Sequence, residues 1–293
     1  MPSTPPTRCG TIVLAGRPNA GKSTLLNALV DANLAITSAK PQSTRTPVIG
    51  TRTDGSTQLV VVDPPGLLEP AYLLQETMLE EVLGWLERAD AILYLIPAGD
   101  PTPPSLADLV PPTRSVTAPI ARVLTKVDLA PVPAHDPEPP AFLTSAVTRQ
   151  GVDAVLDWCR EQVPEGPFRH APDDLSVQPL RFFVTEFVRE AAFELLEEEL
   201  PYAVAAEVEE FREGTTPVYI RVTLYVERES QKGMVIGRDG RTIKRLGARA
   251  RERIEALMGA QVFLDLWVKV LPKWRTSAHA LRQLGFPAPT SRT

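Results

Sequence analysis

The chain has 293 residues, 43% hydrophobic and 23% charged, with 31 Lys+Arg against 36 Asp+Glu for a formal net charge of −5. That length suggests two domains, and the composition is that of a folded globular chain, which excludes intrinsic disorder and a membrane-embedded bundle. Two cysteines, Cys9 and Cys159, and three scattered histidines exclude a disulfide scaffold and a cysteine–histidine zinc site.

Residues 1–10 read as a flexible N-terminal segment without an apolar signal core. Thr11–Gly16 is a short apolar run that ends in glycine and leads into a helix, as in a βα unit. Leu59–Val62, Ala91–Ile96, Ile120–Leu124 and Phe142–Thr144 read as further buried strands. Leu73–Leu86 and Val152–Val163 carry apolar residues at helical spacing. Strands alternating with helices predict a mostly parallel sheet covered on both faces. Residues 99–112 and 131–140 hold five prolines each, so a shortened crossover is expected at 131–140, where a helix cannot run.

A linker is expected at 165–179, dividing a first domain at 11–164 from a second at 180–286, with a flexible tail at 287–293. In the second domain Leu180–Glu198 reads as a helix ended by Pro201, then Ala203–Phe211 and Val218–Glu227 as strands. A helical turn at Gly233–Ile236, a helix at Gly240–Met258, a strand at Gln261–Val270 and a short helix at Trp274–Leu284 complete the order α-β-β-α-α-β. Trp267 reads as sheet packing.

Gly16-Arg17-Pro18-Asn19-Ala20-Gly21-Lys22-Ser23, followed by Thr24, fits the phosphate-loop pattern between a strand and a helix. Its backbone N–H groups and the helix N-terminus suit phosphate oxygens; Lys22 reaches the β- and γ-phosphates and the Ser23 hydroxyl suits Mg²⁺. Asp63-Pro64-Pro65-Gly66 ends a strand, placing a carboxylate for Mg²⁺ and a glycine N–H for a γ-phosphate. Between the two lies Ser43-Thr44-Arg45, where Thr44 is the expected residue to close on Mg²⁺ with Thr46 as its competitor. Thr125-Lys126-Val127-Asp128 supplies a carboxylate that can accept both donors of the guanine edge, which adenine lacks. Ser145-Ala146 could present a backbone N–H to the guanine O6. The phosphate loop, Asp63–Gly66, Thr125–Asp128 and Ser145-Ala146 occur in the order a GTPase requires. Leu67 and Leu68 follow Gly66 where a water-positioning glutamine could stand, so slow intrinsic turnover is expected.

The acidic total argues against a nucleic-acid partner when taken whole, but the charge is uneven. Residues 171–213 hold 3 basic and 12 acidic groups, and residues 214–293 hold 15 basic and 6 acidic. Within the basic lobe, Gly237-Arg238-Asp239-Gly240 is the G-x-x-G loop by which KH modules clamp four unpaired nucleotides. Lys232, Arg238, Asp239, Arg241, Lys244 and Arg245 lie on or beside that loop, where the cations can meet phosphates. The acidic 171–213 segment, Glu207, Glu209 and Glu210 included, is expected to keep the KH face closed or to discourage non-specific RNA contact.

GRPNAGKST, QSTRT, DPPG, TKVD, TSA, SQKGMVIGRDG and WRTSAHALRQLGF, in this order over about Thr11–Phe286, resemble the Era family of GTPases. The resemblance implies an α/β P-loop GTPase domain followed by an α+β type II KH domain. It further implies GTP hydrolysis, binding near the 3′ end of 16S ribosomal RNA and assistance in small-subunit assembly. Lys22, Thr44 and Gly66 would serve catalysis, Ser23, Thr44 and Asp63 would hold Mg²⁺, and Asn19 resembles the family's K⁺-coordinating asparagine. The implied protein is a cytoplasmic monomer, partly peripheral on the inner face of the membrane. Alternatives are a GTP-regulated RNA chaperone with negligible hydrolysis and a membrane-surface regulatory GTPase. Two departures stand out: Pro64 replaces the threonine of DTPG, and Thr125 replaces the asparagine of NKxD.

Overall fold

Apolar β-branched runs and amphipathic helices alternate along the first half of the chain, and the computed structural model folds them into a single six-stranded sheet. It describes residues 6–38, 40–100, 103–130 and 141–287. The proline-rich 131–140 connection and the outermost parts of both expected flexible ends fall outside the described residues. Two compact units are present: one holds the chain up to Glu69 and Met78–Val177, the other Pro70–Thr77 and the chain from Gln178 onward.

The first unit contains β1 (Arg8–Ala15), α1 (Lys22–Val30), β2 (Val48–Asp54), β3 (Thr57–Asp63), β4 (Ala91–Pro97), α3 (Leu106–Leu109), β5 (Ile120–Thr125), β6 (Ala141–Leu143) and α4 (Val152–Gln162), with most of α2 (Leu73–Glu87). The strand order is β2-β3-β1-β4-β5-β6, parallel throughout except for the antiparallel pair β2–β3. All seven residues of β3 are buried, as befits a strand covered on both faces. One face packs Val13, Val62, Ile92 and Tyr94 against Val82, Leu83 and Leu86 of α2. On the other lie Leu25, Leu26 and Leu29 of α1 and Val155, Leu156 and Cys159 of α4, each almost fully buried. A leucine so buried contributes about 1.5–3 kcal/mol through its removal from water.

The structure corrects several sequence expectations. Arg8–Gly10 is strand, not flexible segment, because Arg8–Val13 pairs with β3. β2 escaped the sequence reading; it joins β3 through the two-residue Gly55–Ser56 turn to form a hairpin. Much of the expected linker is fastened to the first unit: Gln58, fully buried on β3, accepts from the N–H groups of Arg169 (2.9 Å) and His170 (3.1 Å).

The second unit contains α5 (Leu180–Leu195), α6 (Leu200–Ala203), β7 (Ala205–Arg212), β8 (Val218–Val226), α7 (Glu229–Ile236), α8 (Arg241–Met258), β9 (Val262–Val270) and α9 (Ala278–Gln283). The sheet order is β7-β8-β9, with β7–β8 antiparallel and β8–β9 parallel. Phe183, Phe187 and Ala191 of α5 and Leu246, Ala250 and Ile254 of α8 are buried with Ile220, Val222 and Leu224 of β8. Within α5 the side chains of Glu186 and Arg189 form a buried ion pair. Pro201 does not end α5; the helix stops at Leu195, and Pro201 sits in the first turn of α6, where its missing N–H costs nothing. Trp267 is not packed into the core: it is 53% exposed on β9, with the Arg221 guanidinium above its ring. Trp274 is fully buried, its indole N–H donating to the Ala203 carbonyl over 2.8 Å.

Candidate functional site

Parallel strands leave their carboxyl ends along one edge of a sheet, and ligands of open α/β folds bind outside that edge. Here β1, β3 and β5 end at Ala15, Asp63 and Thr125, and the Ser145 turn follows β6. The cleft beyond them is lined by residues that include Pro18, Asn19, Lys22, Ser23, Thr44, Gly66 and Lys126.

The phosphate loop links β1 to α1 through backbone that most side chains resist. Gly16 has φ 151°, and a Cβ there would lie 2.8 Å from the Leu95 carbonyl oxygen; Asn19 and Gly21 have φ 64° and 90°. Lys22 is buried, its Nζ 3.3 Å from the Arg17 carbonyl and 3.5 Å from that of Gly16. Burial pulls its pKa below the ordinary lysine value, against the attraction of the Asp63 carboxylate.

Three hydroxyl and carboxylate groups meet below this loop. Ser23 Oγ donates to Asp63 Oδ2 over 2.6 Å and lies 3.1 Å from Thr44 Oγ1, which is itself 3.5 Å from Asp63 Oδ2. Thr44, not its competitor Thr46, is thus the threonine drawn into the cluster. An all-oxygen set with one fully buried carboxylate suits a hard cation such as Mg²⁺. Gly66 approaches the phosphate loop so closely that a Cβ would fall 2.6 Å from the Pro18 nitrogen. Beside it, the Leu67 N–H donates to the Gly16 carbonyl over 3.0 Å.

At the base-reading end, Thr125 Oγ1 donates to the Ala20 carbonyl over 2.7 Å, and Lys126 Nζ to the Asn19 carbonyl over 2.7 Å. Asp128 is exposed, two residues beyond the cleft-lining Lys126. The Ser145 N–H is committed to the Gln150 carbonyl at 3.0 Å, so of the Ser145-Ala146 pair the Ala146 N–H is the one to offer a base. Sequence reasoning passed over Ile36–Ser38 and Gln42, which also line the cleft; their only signal was position between the phosphate loop and Thr44.

In the second unit the G-x-x-G loop joins α7 to α8. Gly237, Asp239 and Gly240 all have positive φ, of 74°, 54° and 71°. A Cβ on Gly237 would meet Thr242 Oγ1 at 2.2 Å, so only glycine fits. Arg238, Asp239, Arg241, Lys244 and Arg245 are exposed and Lys232 is half-buried. Farther along α8 the cations are held internally: Arg249 pairs with Glu194 and Glu252, and Arg253 with Glu190 and Glu194. Glu207, Glu209 and Glu210 are engaged elsewhere in the unit. They bond along the sheet to Tyr225, Lys269, and Arg212 and Arg221.

Residues 11–126 match the family described as 50S ribosome-binding GTPase, and residues 199–275 match the KH domain. A GTPase Era of Carboxydothermus hydrogenoformans is 38% identical over 291 residues, covering 95% of this chain and 98% of that protein. The chain belongs to the Era family of GTPases. Two Era crystal structures resemble it along nearly the whole length, each 31% identical and covering 96% of this chain and 99% of theirs. One, from Aquifex aeolicus and bound to GDP·AlF4⁻, superposes with a TM-score of 0.88. The other, in complex with MgGDPNP and nucleotides 1506–1542 of 16S ribosomal RNA, gives 0.89. Against the Era sequence pattern, Thr125 still reaches the phosphate loop from the asparagine position, through a hydroxyl in place of an amide. Among the described residues, no helix is long and apolar enough to cross a membrane.

Proposed function

We propose that this protein is a GTP-hydrolysing switch that binds the 3′ region of 16S ribosomal RNA through its KH unit and assists assembly of the small ribosomal subunit. The observation that carries the reading is the convergence of Ser23, Thr44 and Asp63 beneath the phosphate loop, in a chain that also presents an exposed basic G-x-x-G loop. The Era structure containing both MgGDPNP and 16S ribosomal RNA supports the pairing of the two activities.

In this reading the backbone of Gly16–Thr24 cradles the phosphates and Lys22 approaches the β–γ bridge. Ser23, Thr44 and Asp63 hold the magnesium ion, which when bound neutralises charge on the β- and γ-phosphates. Gly66 directs its N–H at the γ-phosphate from a segment that includes Pro64 and Pro65. Thr125 and Lys126 brace the loop, while Asp128 and the Ala146 N–H read guanine. Water attacks the γ-phosphorus, the bond to the bridging oxygen breaks with its electron pair leaving on GDP, and a proton is released from the water. Leu67 has no polar group to orient that water. Asn19, exposed at the loop with a side-chain carbonyl oxygen, would hold a potassium ion that offsets the missing glutamine. Gly237 and Gly240 admit the RNA backbone, and Lys232, Arg238, Arg241, Lys244 and Arg245 meet its phosphates. The protein works as a cytoplasmic monomer, with peripheral association to the inner membrane face.

Steady-state GTP hydrolysis in KCl and in NaCl, with and without an oligonucleotide of the 16S 3′ region, tests the reading. Potassium and the RNA should each raise turnover. Hydrolysis unmoved by the RNA would overturn the partner, and hydrolysis indifferent to the cation would overturn the role of Asn19.

A further inference from the structure

The segment leaving the GTPase unit is fastened at two places. At the first, Gln58 on β3 accepts from the Arg169 and His170 N–H groups and returns a bond to the His170 carbonyl at 3.0 Å. At the second, the segment follows the outer edge of β2. The Thr51 N–H donates to the Leu175 carbonyl over 2.9 Å, the Thr51 hydroxyl to the Asp174 carbonyl, and the Ser176 hydroxyl to the Ile49 carbonyl. β2 is an edge strand, whose outward N–H and C=O groups need a partner. Thr51 is only 1% exposed beneath this cover.

The two fastenings differ in what holds them. Gln58 is separated from Asp63 by the length of β3, roughly 17 Å of extended chain, within a strand paired on both sides. Ile49 adjoins Val48, which pairs with Asp63 across the hairpin. The chain entering β2 is the Thr44–Pro47 segment itself. A movement that withdraws Thr44 therefore acts on Val48 and Ile49 through the chain, and on the end of β3 only through the Asp63 side chain.

We propose that residues 174–176 are a releasable strap, fastened to β2 while Thr44 lies against Ser23 and Asp63 and loosened when Thr44 withdraws. The state of the nucleotide then reaches the chain that continues into the KH unit through β2. This rests on the reading of Thr44 as the residue that closes on Mg²⁺ with the triphosphate. The structure holds both halves of the relationship at once, with Thr44 drawn in and the strap bonded. Because coupling between two equilibria is reciprocal, the strap favours the triphosphate state as much as that state favours the strap.

Hydrogen exchange of the full chain with Mg·GDP and with Mg·GDPNP tests the proposal. The Thr51 amide should exchange about fivefold more slowly with GDPNP, together with greater protection of 43–46. Protection of 43–46 with an unchanged Thr51 amide would overturn the strap and leave Thr44 in its role. No change in either would remove the Thr44 reading and the strap with it. A Thr51→Val plus Ser176→Ala variant, with a native circular dichroism spectrum, should bind GDPNP about fivefold more weakly and GDP as before. Unchanged affinity for both nucleotides, or equal losses, would overturn the coupling.

Discussion

The hydroxyl of Thr125 lies 2.7 Å from the carbonyl oxygen of Ala20, a buried hydrogen bond between the end of β5 and the middle of the phosphate loop. One bond thus ties the segment proposed to read guanine to the loop proposed to hold its phosphates. Base recognition and phosphate geometry are not independent in this chain.

Thr125→Val keeps the shape and removes the donor, leaving the Ala20 carbonyl without this partner. At about 1–2 kcal/mol for such a loss, GDP and GTP should both bind roughly tenfold more weakly. Thr125→Ser keeps the hydroxyl and should bind close to wild type. Titration with a fluorescent guanine nucleotide measures both, and equal affinity for valine and serine variants would show that the bond contributes nothing.

The two glycines of the RNA loop should respond differently. Around Gly240 a Cβ meets nothing nearer than Lys244 Cε at 4.0 Å, whereas at Gly237 it meets Thr242 at 2.2 Å. Gly240→Asp should therefore cost only about 1–2 kcal/mol for its left-handed backbone, while placing a carboxylate against the RNA phosphates. RNA affinity should fall at least about tenfold with GTP hydrolysis intact. Gly237→Ala should lower the melting temperature of the KH unit as well. Filter binding and calorimetry separate the two effects, and undiminished RNA binding by Gly240→Asp would contradict the loop's assignment.

Acid should weaken the β2–β3 hairpin at a defined point. Partial burial would raise the Asp54 carboxyl, but hydrogen bonds from Arg52 and Arg160, each 2.6 Å from Oδ2, outweigh it and hold the pKa below the usual value. A carboxyl depressed in the folded state adds stability above its unfolded pKa, and that stability is lost as pH falls through the folded value. The melting-temperature gap between wild type and Asp54→Asn should be constant near neutrality and narrow below about pH 4. A gap that persists undiminished to about pH 2 would show that the charge of Asp54 does not matter.

The nucleotide machinery was legible because its chemistry is local: a phosphate loop needs glycines and a lysine at fixed spacing, and Asp63 and Thr125 stand at strand ends. The choice of Thr44 over Thr46 was legible only as a preference, because it depends on which hydroxyl a turn carries toward Ser23. β2 was missed although Val48, Ile49 and Thr51 are β-branched and a glycine turn follows Asp54, because Arg52 and two threonines mask the alternation expected of a buried strand. The attachment of 165–177 was illegible for a deeper reason. Its bonds run from a polar, proline-bearing segment to Gln58 and Thr51, more than a hundred positions away along the chain.

The parallel pairing of Val218–Val226 with Val262–Val270 has a consequence for how the KH unit assembles. Two parallel neighbours cannot be joined by a tight turn, so the chain must cross over between them. Here α7, the G-x-x-G loop and α8 are that crossover. The last strand pairs only after the whole crossover has been made, and closing so distant a contact is slow. The element proposed to grip RNA is therefore also the element that completes the sheet, and a lesion in it acts on folding as well as on binding.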